Sequence, residues 1–227
     1  QALGEADTTS AGISIKLSAL HPRFAYPQRR RVLAELVPKI RELAEYAAKA
    51  DIGLTIDAEE ADRLDLTLDV FSGVLAQSDW REWQGFGLAV QAYQKRAPAV
   101  IEYLYRLATS ANRKITLRLV KGAYWDTEIK RAQVMGLEGF PVFTRKVNTD
   151  VSYIACARKL LGMTDRIYPQ FATHNAHTAA AILAMAPDKS LFEFQRLHGM
   201  GEALHETVRK REGTRCRIYE PVGAHQD

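Results

Sequence analysis

The stretch from Leu117 to Asp126 reads LRLVKGAYWD and sets two cations, Arg118 and Lys121, beside two large rings, Tyr124 and Trp125. Cations neutralise charge and rings offer stacking area, so together they suit a planar ligand that is electron-rich or anionic. Ile115 to Lys121 has the β-branched and aliphatic pattern of a strand, Gly122 breaks it, and Trp125-Asp126-Thr127-Glu128 reads as a helix start. In parallel α/β folds the loop after a strand carries the chemistry. An ion-paired barrel strand with no ligand uses the same residues and stands as the plain alternative.

Further segments add polar groups. Lys16, in GISIKLSALHPR, lies among apolar neighbours, so it needs a partner or a perturbed pKa. Asp57, ending GLTID, is that partner if the first two strands are adjacent. A desolvated Lys16 would serve as a Schiff-base nucleophile, an electrostatic clamp or half of a buried ion pair. Glu59, Glu60 and Asp62 in DAEEADRL read as capping or solvating the next helix. Gln91 and Gln94, in VQAYQKR, offer amides that match a ring imide or carbonyl edge as well as rim packing. Thr173, His174 and Asn175 in FATHNAH sit at a strand-to-helix junction, placed to donate hydrogen bonds to a phosphate or ring oxygen. His174 and His177 would share a face if both were helical, but no third ligand stands at metal-site spacing, so no metal is expected. His198, in LHGMGE, is a loop residue near two glycines where backbone can approach a ligand.

These residues need a scaffold that gathers strand ends. Seven candidate strands run over 13–17, 53–57, 86–92, 115–121, 167–173, 191–195 and 215–219. Helical periodicity marks 29–49, 58–77 and 98–111 between them. Strand and helix alternate without hairpin signals, which argues for a parallel sheet. No Gly-x-Gly-x-x-Gly follows the first strand, so a dinucleotide-binding fold loses ground. Polar residues end nearly every strand, namely Lys16, Asp57, Gln91, Lys121, His174, Gln195 and Tyr219. Their convergence on one mouth predicts an α/β fold of the (β/α)8 barrel type, distorted, forming one domain over 1–227. An eighth strand is not visible. Leu3 to Ala6 could be the tail of a first strand, yet the six residues before Ile13 are too few for a crossover, and no helix follows Tyr219. The chain therefore reads as incomplete at both ends. Residues 187–190 and 209–214 read as mobile loops.

Composition narrows the class. The 227 residues are 47% hydrophobic and 26% charged, which fits a folded domain rather than a disordered chain. No apolar run reaches the ~18 to 20 residues of a membrane span, and the start lacks the pattern of a signal peptide, so a soluble, cytoplasmic protein is expected. Cys156 falls in a helical pattern and Cys216 on a strand, far apart, and both read as free thiols. The net charge of +4 comes from interspersed cations and acids, so no nucleic-acid partner is expected.

The segments GISIKLSALHPR, IDAEEADRL, VQAYQKR, RLVKGAYWD, GFPVFTRK, YPQFATHNAHT, FEFQRLHGMGE and CRIYEPVG occur in this order between about residues 12 and 225. Together they resemble the proline dehydrogenase domain of bacterial bifunctional proline utilisation enzymes. That resemblance implies a distorted (β/α)8 barrel that binds FAD and oxidises L-proline to Δ1-pyrroline-5-carboxylate, the first step of proline catabolism, by hydride transfer from proline C5 to flavin N5. It further implies a quinone electron acceptor at the membrane surface, peripheral association with the inner membrane face, and an aldehyde dehydrogenase domain elsewhere in a longer chain.

Residue by residue, the resemblance assigns Gln91, Arg118, Lys121, Gly122, Ala123, Tyr124, Trp125, Thr173, His174, Asn175 and Gln195 to the cofactor. It assigns Lys16, Asp57, Ala123, Tyr124, Leu197 and Tyr219 to the substrate pocket, with Lys16, Asp57, Arg118 and Tyr219 in catalytic positions. Fixed cations aimed at a ring that becomes anionic on reduction agree with this assignment. The family pattern continues with a helix whose two adjacent arginines grip the substrate carboxylate, and that segment is not in this sequence. A Schiff-base aldolase-type barrel using Lys16 or Lys121, and a catalytically impaired fragment that binds flavin or substrate, are the competing readings.

Overall fold

A computed structural model describes residues 11–80 and 82–222. The suggested strand remnant at Leu3 to Ala6 and the residues after Val222 lie outside that range. Seven parallel strands form one sheet in sequence order: β1 (Gly12–Ile15), β2 (Gly53–Ile56), β3 (Phe86–Gln91), β4 (Ile115–Val120), β5 (Ile167–Ala172), β6 (Glu193–Leu197) and β7 (Arg215–Tyr219). The helices are α1 (Leu17–Leu20), α2 (Arg29–Lys49), α3 (Leu64–Ala76), α4 (Ala97–Ser110), α5 (Trp125–Val134), α6 (Lys146–Leu161), α7 (Ala176–Met185) and α8 (Glu202–Glu212).

The sheet curls into an incomplete barrel, because β4 reaches β1 through Arg118 and Ser14, and β7 reaches β2 through Tyr219 and Asp57. Strand alternation explains the two faces. Leu54, Ile56, Leu88, Val90, Leu117, Leu119, Phe171 and Phe194 belong to the buried core that the helices cover. Phe71 of α3 stacks on Phe86 at 4.7 Å, and Phe171, Phe192 and Phe194 form an edge-to-face cluster. Many of the alternate, inward-facing residues are polar, Ser14, Arg118, Gln170, Glu193, Gln195 and Arg217 among them, in contrast to the aliphatic layers usual in such barrels. Gly87 in β3 makes room for its neighbour, since a Cβ there would lie 1.9 Å from Thr116 Oγ1.

Boundaries differ from the sequence reading by more than one residue in four places. β1 ends at Ile15 rather than Leu17, which opens α1. The segment 58–77 is not one helix: residues 57–60 run on without helix, Ala61–Arg63 form a 3-10 turn, and α3 begins at Leu64. Residues 209–212 are the last turn of α8 rather than loop, ended by Gly213 at φ 67°. β6 starts at Glu193 and runs to Leu197, two residues later than its apolar pattern suggests, because Lys189–Leu191 form a 3-10 turn. Gln195 is thereby drawn inside the barrel, 2% exposed, instead of ending the strand. Cys156 is buried and Cys216 half-buried, both as free thiols.

Candidate functional site

Four strands send side chains to the guanidinium of a fifth, Arg118 of β4. Asp57 follows β2, and its backbone N–H donates to Ile15 O at 2.9 Å, which locks it beside β1. Its Oδ1 accepts from Arg118 Nη1 at 2.7 Å, while its Oδ2 accepts from Lys16 Nζ at 3.3 Å and from the Tyr219 hydroxyl at 3.2 Å. Arg118 also donates from Nε to Gln195 Oε1 and from Nη2 to Ser14 Oγ, each at 2.7 Å. Its guanidinium carbon lies 5.1 Å from the centre of the Tyr219 ring. With all three nitrogens engaged and 8% exposure, this cation has one fixed position.

The expected pairing of Lys16 with Asp57 is present, but not as a desolvated pair. The Lys16 side chain is 47% exposed, and Asp57 is bound more tightly by Arg118. Burial on its own would lower the Lys16 pKa. The charge and hydrogen bond of Asp57, with Tyr124 and Tyr219, outweigh it, so the pKa lies above that of an ordinary lysine. The Tyr219 hydroxyl is raised by burial and then by Asp57.

The rim above this floor is the β4–α5 loop. Gly122 has φ 143°, and a Cβ there would sit 2.4 Å from the Tyr93 ring, so only glycine fits. Gln91 fixes the next residue: its Nε2 donates to Glu59 O at 2.8 Å and its Oε1 accepts from Ala123 N at 3.2 Å. The Gln91 amide therefore already has protein partners at both ends. Tyr124 is half-buried, with burial the first cause of its raised pKa. Trp125, 42% exposed, donates from Nε1 to Phe143 O, and Lys121 is paired with Asp150. Behind the loop, buried Glu128 accepts from Ala61 N at 2.6 Å, which ties α5 to the segment after β2, and burial raises its pKa.

The opposite rim joins the β5 and β6 loops. Thr173 Oγ1 accepts from Asn175 N, and Asn175 caps α7 by accepting from Thr178 N. His174 Nε2 accepts from Leu197 N at 2.9 Å, so this nitrogen carries no proton. His174 precedes α7 whereas His177 lies on it, exposed, so the two do not share a helix face as their spacing suggested. Leu197 is 43% exposed at the mouth. His198 is exposed, and its Nδ1 lies 2.8 Å from Glu220 Oε1.

Lys16, Asp57, Arg118, Gln195 and Tyr219 are thus joined directly. Gln91 meets Ala123, His174 meets Leu197, and Lys121 and Trp125 stand farther out, tied to Asp150 and Phe143. Sequence reasoning passed over Ser14, Glu193 and Arg217. Each lies two residues before a recognised one, Lys16, Gln195 or Tyr219, and the two-residue strand period places such pairs on one face.

Comparison with known proteins follows the same lines. The family model described as proline dehydrogenase matches residues 1–227. The bifunctional protein PutA of Klebsiella aerogenes is 56% identical over 223 residues, covering 95% of this chain and 17% of that protein. Proline dehydrogenase 1 of Bacillus subtilis is 29% identical over 188 residues, which is 81% of this chain and 54% of the relative. Among solved structures, a proline utilization A variant from Bradyrhizobium japonicum superposes with a TM-score of 0.94 at 59% identity, covering 98% of this chain and 23% of that one. Another, described as proline utilization A with proline bound in remote sites, gives 0.92 at 60% identity over 94% of this chain and 22% of the other. The chain spans about a fifth of the length of these long relatives, and its fold superposes on the matched part of theirs. The chain belongs to the proline dehydrogenase family.

Proposed function

We propose that this barrel oxidises L-proline to Δ1-pyrroline-5-carboxylate with FAD at its mouth. The observation that carries this reading is Arg118: a buried cation held from three sides and aimed among strand ends, below a rim with exposed Trp125 and a glycine that admits no side chain. This donor set fits a flavin, with Arg118 and Lys121 against a ring that gains negative charge, Gly122 and Ala123 as close backbone, and Tyr124 and Trp125 as planar surface. Gln91 and Gln195 would brace the ring site from below through Ala123 and Arg118, and Thr173, His174 and Asn175 would meet the rest of the cofactor. Bound there, FAD would supply the two-electron acceptor for a C–H bond of proline.

The chain's own residues orient the substrate. Lys16, Asp57 and Tyr219 form the polar wall of the pocket, and Ala123, Tyr124 and Leu197 its apolar side. Asp57 holds Arg118 in place and keeps Lys16 charged. A charged Lys16 opposes the aldolase reading, because a Schiff-base nucleophile needs a lowered pKa and the pKa of Lys16 is raised. A neutral proline amine needs no protein nucleophile, and among the described residues no Cys-His or Ser-His-Asp set stands at the mouth. In the longer chain electrons would pass to a quinone, with the protein peripheral to a membrane. No helix among the described residues is long and apolar enough to cross one. An aldehyde dehydrogenase domain would take the product onward.

The test is the visible spectrum of the purified full-length protein. It should show a flavin band that L-proline bleaches under anaerobic conditions, with deuterium at C5 slowing the bleaching. A colourless protein, or a flavin that proline leaves oxidised, refutes the proposal.

A further inference from the structure

We infer that Glu193 is a positioning residue for Arg118, acting through the amide of Gln195. This rests on the proposed role of Arg118. Glu193 is 3% exposed and lies on the inward face of β6, two residues before Gln195. Its Oε1 accepts from Gln195 Nε2 at 2.9 Å, Gln170 Nε2 at 3.0 Å and Arg217 Nε at 2.7 Å, and its Oε2 accepts from Arg217 Nη2 at 3.1 Å.

An ionised carboxylate only accepts hydrogen bonds. Any amide that touches Glu193 must therefore turn its NH2 toward it and its oxygen away. Gln195 has two polar ends, and this fixes which one faces Arg118: Oε1, at 2.7 Å from Nε. A flipped amide would set NH2 against the guanidinium, donor against donor. Gln170 shows how strongly Glu193 directs its neighbours, for its amide also turns inward and leaves Oε1 buried without a hydrogen bond among the described residues. Arg217 pairs with the carboxylate from its own strand and supplies a countercharge beneath the site. The chain of orientation runs from carboxylate to amide to guanidinium to Asp57.

The test uses the flavin-loaded full-length protein. Glu193→Gln keeps the shape but gives the floor an NH2 of its own, so the orientation of Gln195 is no longer enforced. We expect the variant to fold and take up FAD, with kcat for proline lowered about 10- to 100-fold, KM changed far less, and the flavin midpoint potential more negative. Glu193→Asp, which keeps an acceptor-only carboxylate beneath Gln195, should recover most of the loss.

Native kcat and potential in Glu193→Gln overturn the inference, as does a loss that Glu193→Asp leaves uncorrected. If Glu193→Gln does not fold, Glu193→Asp decides: kcat within about 3-fold of native supports the role, and a rate as low as that of Arg118→Met overturns it. A crystal structure of Glu193→Gln reads the placement without turnover. Proline that bleaches the native protein, with Arg118 unmoved in the variant, defeats this inference alone. A native protein that proline does not bleach defeats the proposed function, and the Arg118 position still decides this one.

Discussion

Breaking the Asp57 hub should cost stability very unequally according to which partner is removed. Asp57 is 12% exposed at its side chain and Arg118 is 10%, with Nη1 and Oδ1 2.7 Å apart. For charge centres ~4 Å apart at an effective dielectric of ~20, their attraction is about 4 kcal/mol. Asp57→Asn leaves Arg118 with Gln195 and Ser14, both neutral, and an uncompensated buried cation costs roughly 3 to 5 kcal/mol. Arg118→Met leaves Asp57 with Lys16 and Tyr219 still in contact and should cost less, about 2 to 3 kcal/mol. Lys16→Met removes one 3.3 Å contact from a side chain that is 47% exposed, so its cost should stay at ~0.5 to 1 kcal/mol. Urea unfolding of the apoprotein gives the three values, and the double variant Asp57→Asn with Arg118→Met gives the coupling. The double variant should be more stable than the sum of its parts predicts, by about 2 kcal/mol. A Lys16→Met loss equal to that of Asp57→Asn, or additive losses for Asp57 and Arg118, would refute the assignment of the buried pair.

Gly122→Ala demands both φ 143° and space occupied by the Tyr93 ring, so the β4–α5 loop should be displaced, with FAD content falling at least 10-fold by absorbance; native content would show that the loop tolerates a side chain. Lys121→Met removes a rim cation and should weaken FAD binding in a titration of the apoprotein by about 10-fold while leaving the fold intact, whereas unchanged affinity counts against its place in the site. Stability should fall with acid: burial lowers the pKa of His174 and of His205, so the unfolded chain takes up protons first. Stability is then full above about pH 6.5 and drops as pH falls from there toward the folded-state pKa values. Denaturant midpoints from pH 7.5 to 5.5 should show this loss and should flatten in His174→Gln, which cannot charge. A native-like slope in that variant would leave His205 as the responsible group.

The sequence alone determines the alternation of parallel strands and amphipathic helices, because periods of two and of 3.6 are local properties. Helix α2 matches its reading end to end, and all seven strands appear where β-branched runs announced them. Lys16 beside Asp57 was legible for the same reason, since adjacent parallel strands put their ends together. The sequence could not say how far each strand slides, and only the register of β6 against β5 and β7 carries Gln195 from the mouth into the interior. Nor could it show that Arg118 would take Asp57 from Lys16. That contact joins residues 61 apart and depends on the curl of the sheet bringing β4 across the barrel. Glu193 and Ser14 escaped notice because the two-residue period puts them on the face of Gln195 and Lys16 but does not say which side chain each will meet. Their meaning arises when the barrel closes around one guanidinium and every buried donor must find an acceptor.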